Sequence, residues 1–576
     1  MDDEGKLTVI LNGEEVSACE GEMIIDVARR NGVDIPHLCW NKRLDRIGAC
    51  RICVVEVEDA PRLVASCSAP VFEGMKVNTH SPRVLESRRI NLELLLANHD
   101  LNCTTCHMNL NCKLQRYAND FMIEENPFEG KKRVEALDES SVSIVRDNNK
   151  CILCEQCVQV CNNVQTVYAI GFNNRGFATK VSPAFDEGMA ESPCINCGQC
   201  VVACPTGALR EKSSISEVLD ALNSGKHLVA QTAPSIRATL GESFGLEPGT
   251  PVTGQMVAAL RDLGFNKVFD TNFAADITIV EEATEFIKRF RENRDLPMIT
   301  TCCPAWIKFG EQFYYHQLNH MSTCRSPQAI LASLVKTYYA EDKGIDPQDI
   351  VLIDVMPCTA KKYEIQRPEF RGDADYVLTT MELAKLINIY SIDFLNLPPS
   401  DFDHPMGLST GAGDIFGHTG GVMEAALRSV ADMMEGDDLA SIEYETIRGM
   451  ETMKEASLNL QGEEVRICAV HTMGEARKLL EQIKRGESPY HFIEIMACYG
   501  GCVGGGGQPP PHRKEVLAKR AQALIKEDGG KQLRKSHKNP DVLKLYSDYL
   551  GEFGSERAHK LLHTSYTNKC LIDDCR

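Results

Sequence analysis

Thr300-Thr301-Cys302-Cys303-Pro304-Ala305-Trp306 sets two adjacent cysteines directly behind a short apolar run, Leu296-Pro297-Met298-Ile299. That run predicts a buried strand ending near Cys303. Two more cysteine motifs follow strand-like runs far downstream: Met356-Pro357-Cys358-Thr359-Ala360-Lys361-Lys362, and Glu494-Ile495-Met496-Ala497-Cys498-Tyr499-Gly500-Gly501-Cys502. The carboxyl ends of strands are where open α/β sheets bind ligands. Cys303, Cys358, Cys498 and Cys502 offer four thiolates, the number one cubane iron–sulfur cluster takes. Cys302 is left over beside them.

The whole chain has 576 residues, too many for one hydrophobic core, so several domains are expected. Its net charge of −19 argues against nucleic acid or an anionic membrane as main partner. No apolar run approaches the ~18 residues of a membrane span. Met1-Asp2-Asp3-Glu4 lacks the basic and apolar regions of a signal peptide, so a cytoplasmic protein is expected. The 25 cysteines then mean metal or redox chemistry rather than disulfides.

Residues 1–80 open with Leu7-Thr8-Val9-Ile10-Leu11, then Asn12-Gly13, a hairpin signal, then Glu14 to Ala18. A short helix is expected over Ile24 to Asn31. Cys39, Cys50, Cys53 and Cys67 follow, a set suited to a 2Fe–2S cluster, with structural zinc as the competing occupant. This stretch resembles the β-grasp ferredoxin module of the large iron–sulfur subunit of respiratory complex I. In the next stretch, 81–125, the run Ile90 to Asn98 predicts a helix delivering His99 to Cys103, Cys106 and Cys112. One imidazole and three thiolates bind zinc or a 4Fe–4S cluster; the neighbouring cluster motifs favour the latter. Residues 122–137 are charged and aperiodic, a linker.

Residues 140–212 carry Cys151, Cys154, Cys157 and Cys161, then Cys194, Cys197, Cys200, Cys204 and Pro205. This is the two-cluster bacterial ferredoxin pattern, in which the fourth cysteine of each run serves the other cluster. One cluster is therefore expected on Cys151, Cys154, Cys157 and Cys204, the other on Cys194, Cys197, Cys200 and Cys161. From 213 to 576 strand-like runs (227–231, 350–355, 465–470, 492–496) alternate with helical segments (281–290, 328–340, 381–389), which predicts parallel βαβ units. The fold class is thus multidomain α+β and α/β. The glycine-rich stretches Gly411-Ala412-Gly413 and Gly504 to Gly507 match neither dinucleotide nor P-loop spacing and predict close backbone approach instead.

Across essentially its whole length the chain resembles FeFe hydrogenases, whose three signatures match at 300–306, 356–364 and 494–502. Thr301 stands where many members carry serine, and Tyr499 where many carry proline. The resemblance implies an H-cluster: a 4Fe–4S cubane on Cys303, Cys358, Cys498 and Cys502, with Cys502 bridging to a two-iron subcluster carrying CO, cyanide and an azadithiolate. Lys361 would contact one cyanide and Pro234 and Ser235 the other, with Gln328, Met356, Phe416 and Met496 as further pocket residues. One 2Fe–2S and three accessory 4Fe–4S clusters would feed electrons inward.

Hydrogen chemistry also needs a proton relay. Cys302 lies beside the diiron position yet is not needed as a ligand. Glu282 and Glu285 are three apart and Arg289 four further on, one helix face that by itself also reads as solvated. Ser322 lies in the polar turn Met321-Ser322-Thr323-Cys324. The family's proton path maps onto Cys302, Glu282, Ser322, Glu285 and Arg289. The cysteines outside these sets are Cys19, Cys324, Cys468, Cys570 and Cys575.

The expected activity is reversible conversion of protons and electrons to H₂. The expected setting is a multisubunit, electron-bifurcating complex whose other subunits carry flavin and bind NAD(P), with ferredoxin as a further partner. The alternatives are a stand-alone ferredoxin-dependent hydrogenase, a hydrogen sensor, and an electron-carrying subunit like that of complex I.

Overall fold

The computed structural model describes residues 6–128, 130–435 and 448–570. They form two compact units, described separately. The first holds Met1–Asn163, Tyr168–Ser192 and Ala203–Arg210; the second holds Val164–Val167, Pro193–Val202 and Glu211–Arg576. The stretch 140–212, expected as one two-cluster domain, therefore contributes to both.

In the first unit a five-stranded sheet has the order Glu14–Cys19, Lys6–Leu11, Lys76–Asn78, Val54–Val57, Val64–Ala65. The opening hairpin forms where Asn12-Gly13 predicts it, both residues having positive φ, the requirement of a tight turn matched to strand twist. The helix Ile24–Arg30 packs Ile24, Ile25 and Val27 against Val9, Val55 and Val77. The helix ahead of His99 runs over Pro82–Ala97, starting eight residues earlier than its apolar run suggests. Ser81 caps it by accepting from the Val84 amide, and Pro82 stands at the first position, where a missing N–H costs nothing.

The second unit contains two four-stranded sheets. One is fully parallel, as alternation of strands and helices predicts: Lys267–Asp270, His227–Thr232, Ile350–Met356, Tyr376–Thr379. The other departs from that expectation. Its strands Met298–Thr300, Phe492–Met496 and Glu463–His471 are parallel, but Met453–Leu460 pairs antiparallel to Glu463–His471. The reason is a two-residue turn, Gln461-Gly462, with positive φ at both positions, too short for a crossover. The 22-residue helix Thr271–Glu292, capped by the Asp270 side chain, is buried over most of its length against Pro327–Leu334 and Gly421–Glu435. No helix among the described residues is long and apolar enough to cross a membrane.

Candidate metal centre

Three cysteines of the second unit come from the carboxyl ends of three strands in two sheets. Cys303 follows Met298–Thr300 and N-caps the helix Pro304–Phe313; Cys358 follows Ile350–Met356; Cys498 follows Phe492–Met496. These three line one cavity of about 680 Å³ together with Cys302 and Cys502. Pro234, Ser235, Gln328, Met356, Lys361, Phe416 and Met496 line it too, so every pocket residue expected from the sequence is brought there. Among the described residues no group of three His, Cys, Asp or Glu side chains is arranged to hold a lone metal ion. The thiols instead ring a space fit for a polyatomic cluster.

Burial pushes the Cys358 thiol up to about 12 and raises Cys303 and Cys498 as well, each further raised by its neighbours. Cys502 is raised chiefly by a hydrogen bond with Cys302, which fixes the spare thiol beside it. Four thiols crowded in an apolar wall ionise only when a cationic cluster takes them as thiolates, so the donor set fits an iron–sulfur group. Lys361 is 7 % exposed, and its Nζ donates to Glu364 at 2.7 Å and to Ser326 at 2.9 Å. Burial would lower its pKa, but Glu364 and the thiols outweigh this and keep it charged. Gln328 Oε1 is buried with no hydrogen-bond partner among the described residues, a polar atom left for the cavity's content. The Thr301 hydroxyl donates to the Ile495 carbonyl and accepts from the Cys303 amide, tasks a serine would also perform. Tyr499 stands edge-on to His471.

The loop 193–202, carrying Cys194, Cys197 and Cys200, packs against this centre within the same unit. Thr359 donates to the Asn196 carbonyl at 2.7 Å, Gln199 to the Gly504 carbonyl at 3.0 Å, and Cys498 Sγ lies 3.9 Å from the Cys197 carbonyl. Gly198, at φ +69°, has no room for a side chain: a Cβ would stand 2.5 Å from Thr359 Oγ1 and 2.9 Å from the Gly506 backbone. Gly505 likewise presses on the Pro357 carbonyl.

Behind Cys302 lies the helix Thr271–Glu292. Glu282 is 1 % exposed; burial pushes its carboxyl up to about 7, against hydrogen bonds from Thr300 and Ser322. Thr300, in the opening motif, was not among the expected relay residues. Glu285 accepts from Arg289 at 2.6 Å and from the amide and hydroxyl of Thr323. Arg289 also donates to the Asn319 and Met321 carbonyls, which ties Glu285 to the turn holding Ser322. The structure thus joins Glu282 to Ser322 and Glu285 to Arg289. A second cavity, about 330 Å³, shares Cys302 and Pro304 with the first and is lined by Arg325, Ser326, Glu364, Arg367 and Tyr566.

In the first unit Cys39, Cys50, Cys53 and Cys67 are buried within hydrogen-bonding reach of one another, competing for the same protons. His99 is buried and kept neutral by burial, with Nδ1 lacking a hydrogen-bond partner among the described residues, as a ligand requires. Cys103, Cys106 and Cys112 lie close enough to perturb one another's charge. Cys151, Cys154, Cys157 and Cys204 line one cavity of about 410 Å³. Cys161 belongs to this unit and accepts from the Ala169 amide. Of the unassigned cysteines, Cys324 and Cys468 are core residues and Cys19 is exposed; Cys575 lies outside the described residues.

Comparison with known proteins adds family descriptions to these regions. Residues 226–506 match "Iron only hydrogenase large subunit, C-terminal domain", and residues 514–569 match "Iron hydrogenase small subunit". Residues 4–82 match a 2Fe-2S cluster-binding domain, 88–127 the NADH-ubiquinone oxidoreductase-G iron–sulfur region, and 150–208 a 4Fe-4S dicluster domain. The chain is 48% identical to the NADP-reducing hydrogenase subunit HndD of Solidesulfovibrio fructosivorans, covering 97% of this chain and 98% of that one. It is 40% identical to iron hydrogenase 1 of Clostridium pasteurianum, covering 97% and 99%. Among solved structures, a variant of the [FeFe]-hydrogenase HydA1 from Chlamydomonas reinhardtii superposes with a TM-score of 0.56 at 38% identity, covering 62% of this chain and 99% of that one.

Proposed function

This chain belongs to the iron-only hydrogenase family, and we propose that it is the hydrogen-converting subunit of a multisubunit complex linked to NAD(P) and ferredoxin, of the electron-bifurcating kind. It is an oxidoreductase acting on hydrogen, with 2Fe–2S and 4Fe–4S domains ahead of the catalytic part. The complex is supported by the 48% identity, over nearly the full length, to a subunit of an NADP-reducing hydrogenase. A nicotinamide link goes with a cytoplasmic setting.

The reading of the site rests on one observation: five cysteines, Lys361 and a soft apolar wall share one cavity. Cys303, Cys358, Cys498 and Cys502 would hold the cubane of an H-cluster. When bound, that cluster supplies the iron chemistry that interconverts H₂ with two protons and two electrons. Lys361, Ser235 and Gln328 would orient its polar ligands, while Met356, Met496 and Phe416 exclude water. Cys302 exchanges protons with Glu282, and Ser322 and Glu285 carry them outward, with Arg289 holding the Glu285 carboxylate in place. Glu282, poised near neutrality by its burial, is matched to that task. The accessory part is read as a β-grasp 2Fe–2S domain, a His99-ligated 4Fe–4S cluster and two ferredoxin-type 4Fe–4S clusters, the Cys194 loop being last in line.

Two measurements test this. Infrared bands of iron-bound CO and cyanide should accompany H₂ uptake in the purified protein; a protein with the accessory clusters but no such bands is an electron carrier. Purification from the native source should bring down a flavin-containing subunit; a monomer fully active with ferredoxin overturns the complex.

A further inference from the structure

One hydrogen bond past Glu285 stands Thr323, and one further an acid–imidazole pair, His563 with Glu281. Thr323 Oγ1 lies 2.9 Å from Glu285 Oε2 and 2.8 Å from His563 Nδ1. The other ring nitrogen, Nε2, lies 3.0 Å from Glu281 Oε2. Glu281 also accepts from the Tyr546 hydroxyl and the Gly554 amide. Glu281 is 1 % exposed and His563 7 %. The ring is clamped through its backbone: the Thr564 amide donates to the Thr323 carbonyl, the Arg325 amide to the Leu562 carbonyl, and Arg325 Nε to the His563 carbonyl. His559, exposed on the same helix end, stacks on it with ring centroids 4.1 Å apart.

The hydrogens define what this chain of groups can do. The Thr323 hydroxyl has a single hydrogen to share between Glu285 and His563. With Glu285 ionised, it donates there and accepts from Nδ1–H. With Glu285 protonated, the direction reverses. The Glu285 O–H bond breaks, Thr323 takes that proton while its own moves to Nδ1, and Nε2–H remains shared with Glu281. Thr323 ends unchanged, Glu285 has lost one proton, and His563 has gained it. Burial alone would raise the Glu281 carboxyl, but the bonds from His563 and Tyr546 hold it below the usual range, so an anion faces the ring.

We propose that His563, reached through Thr323, is a proton-holding residue at the outer end of the relay, which keeps one proton beside Glu285 and exchanges it with solvent on the His559 side. It acts through Glu285 and is a positioning residue. The inference rests on the relay reading of Glu282 and Glu285. The titratable and charged groups facing it are Glu281 and Glu285 from the long helix, Tyr546, Cys324 and Arg325 from the segments packed around it, and His559 with Lys288 at the surface.

Four variants of the cluster-loaded protein test it. Thr323→Val cuts only the link; His563→Gln keeps both hydrogen bonds without a titrating ring; His563→Ala removes the ring; Glu282→Ala is the control for the relay itself. Expected for Thr323→Val and His563→Gln are a loss of turnover of at least about tenfold, a flattened pH profile, and disappearance of an imidazolium band from proton-induced infrared difference spectra. The CO and cyanide bands should not move, and free imidazole should restore His563→Ala but not Thr323→Val. Wild-type turnover and pH profile in Thr323→Val overturn the proposal, as does a loss confined to the His563 variants, which marks a structural clamp. Full turnover in Glu282→Ala fells the relay reading; loss there with intact Thr323→Val and His563→Gln fells the proton store alone.

Discussion

Thr300 Oγ1 donates to Glu282 Oε2 at 2.5 Å, which ties the first residue of the double-cysteine motif to a buried carboxyl on the helix behind it. That bond favours the ionised carboxylate against burial, which has pushed the group to about 7. Thr300→Val should therefore raise the carboxyl further and move the corresponding limb of the turnover–pH profile to higher pH. An unshifted profile would show that Glu282 is not the group being titrated.

The same carboxyl makes stability depend on pH. Its native value of about 7 lies above the ordinary 4.5, so the folded state binds the proton more tightly than the unfolded state. The contribution is complete below pH 4.5 and is lost as pH rises through 7. Glu282→Gln, which cannot ionise, should match the wild type near pH 5 and exceed it at pH 8.5 by about 1–3 kcal/mol. Glu494, also fully buried and raised to about 7, adds a decline of the same sign that this substitution leaves in place. Thermal melts at the two pH values measure the difference.

Cys302→Ser and Glu282→Ala should leave iron content and infrared bands intact while lowering H₂ turnover in both directions by about 10²–10⁴-fold, the range of a positioned proton transfer. Wild-type hydrogen uptake in either variant would remove that residue from the relay.

Lys361→Met strands Glu364, 4 % exposed, with Ser326 as its remaining partner at 3.0 Å. Removing one member of a buried ion pair costs about 3–5 kcal/mol. The double variant Lys361→Met/Glu364→Met should recover most of that loss. It should still fail to hold the diiron part, since no cation faces the cavity from that position. A double variant as unstable as the single one would show that the pair is not energetically coupled.

The sequence made the metal centre more legible than its proton side, for a physical reason. A cluster ligand must be a thiolate or imidazole at fixed local spacing, so Cys151, Cys154 and Cys157 announce themselves within seven residues. A proton relay needs only polar groups within hydrogen-bonding reach, and these arrive from anywhere. Glu282 and Glu285 share a helix face and were readable. Thr300 reaches Glu282 across 18 positions, and His563 reaches Glu281 across 282. Neither distance leaves a local pattern. The segment 514–569, read only as part of one catalytic domain, contains no cysteine to mark it, yet it supplies His563 and Tyr566. The antiparallel strand Met453–Leu460 is absent from the strand-like runs legible in the sequence, because Gln461-Gly462 is a weaker turn signal than Asn12-Gly13.

The loop 193–202 lies in the accessory stretch of the sequence but in the catalytic unit of the fold, which bears on any attempt to dissect the two. A chain trimmed to begin after residue 212, where the cysteine motifs end, would lose more than its electron donors. It would uncover the Gly504 carbonyl, Thr359 and the flank of Cys498 that the Cys197 carbonyl now covers. Because solvent exposure helps set the reduction potential of an iron–sulfur cluster, such a cut would retune the cubane proposed on Cys498 and its companions. Kinetic differences between trimmed and full-length forms would then report altered energetics at the centre as well as a missing supply line.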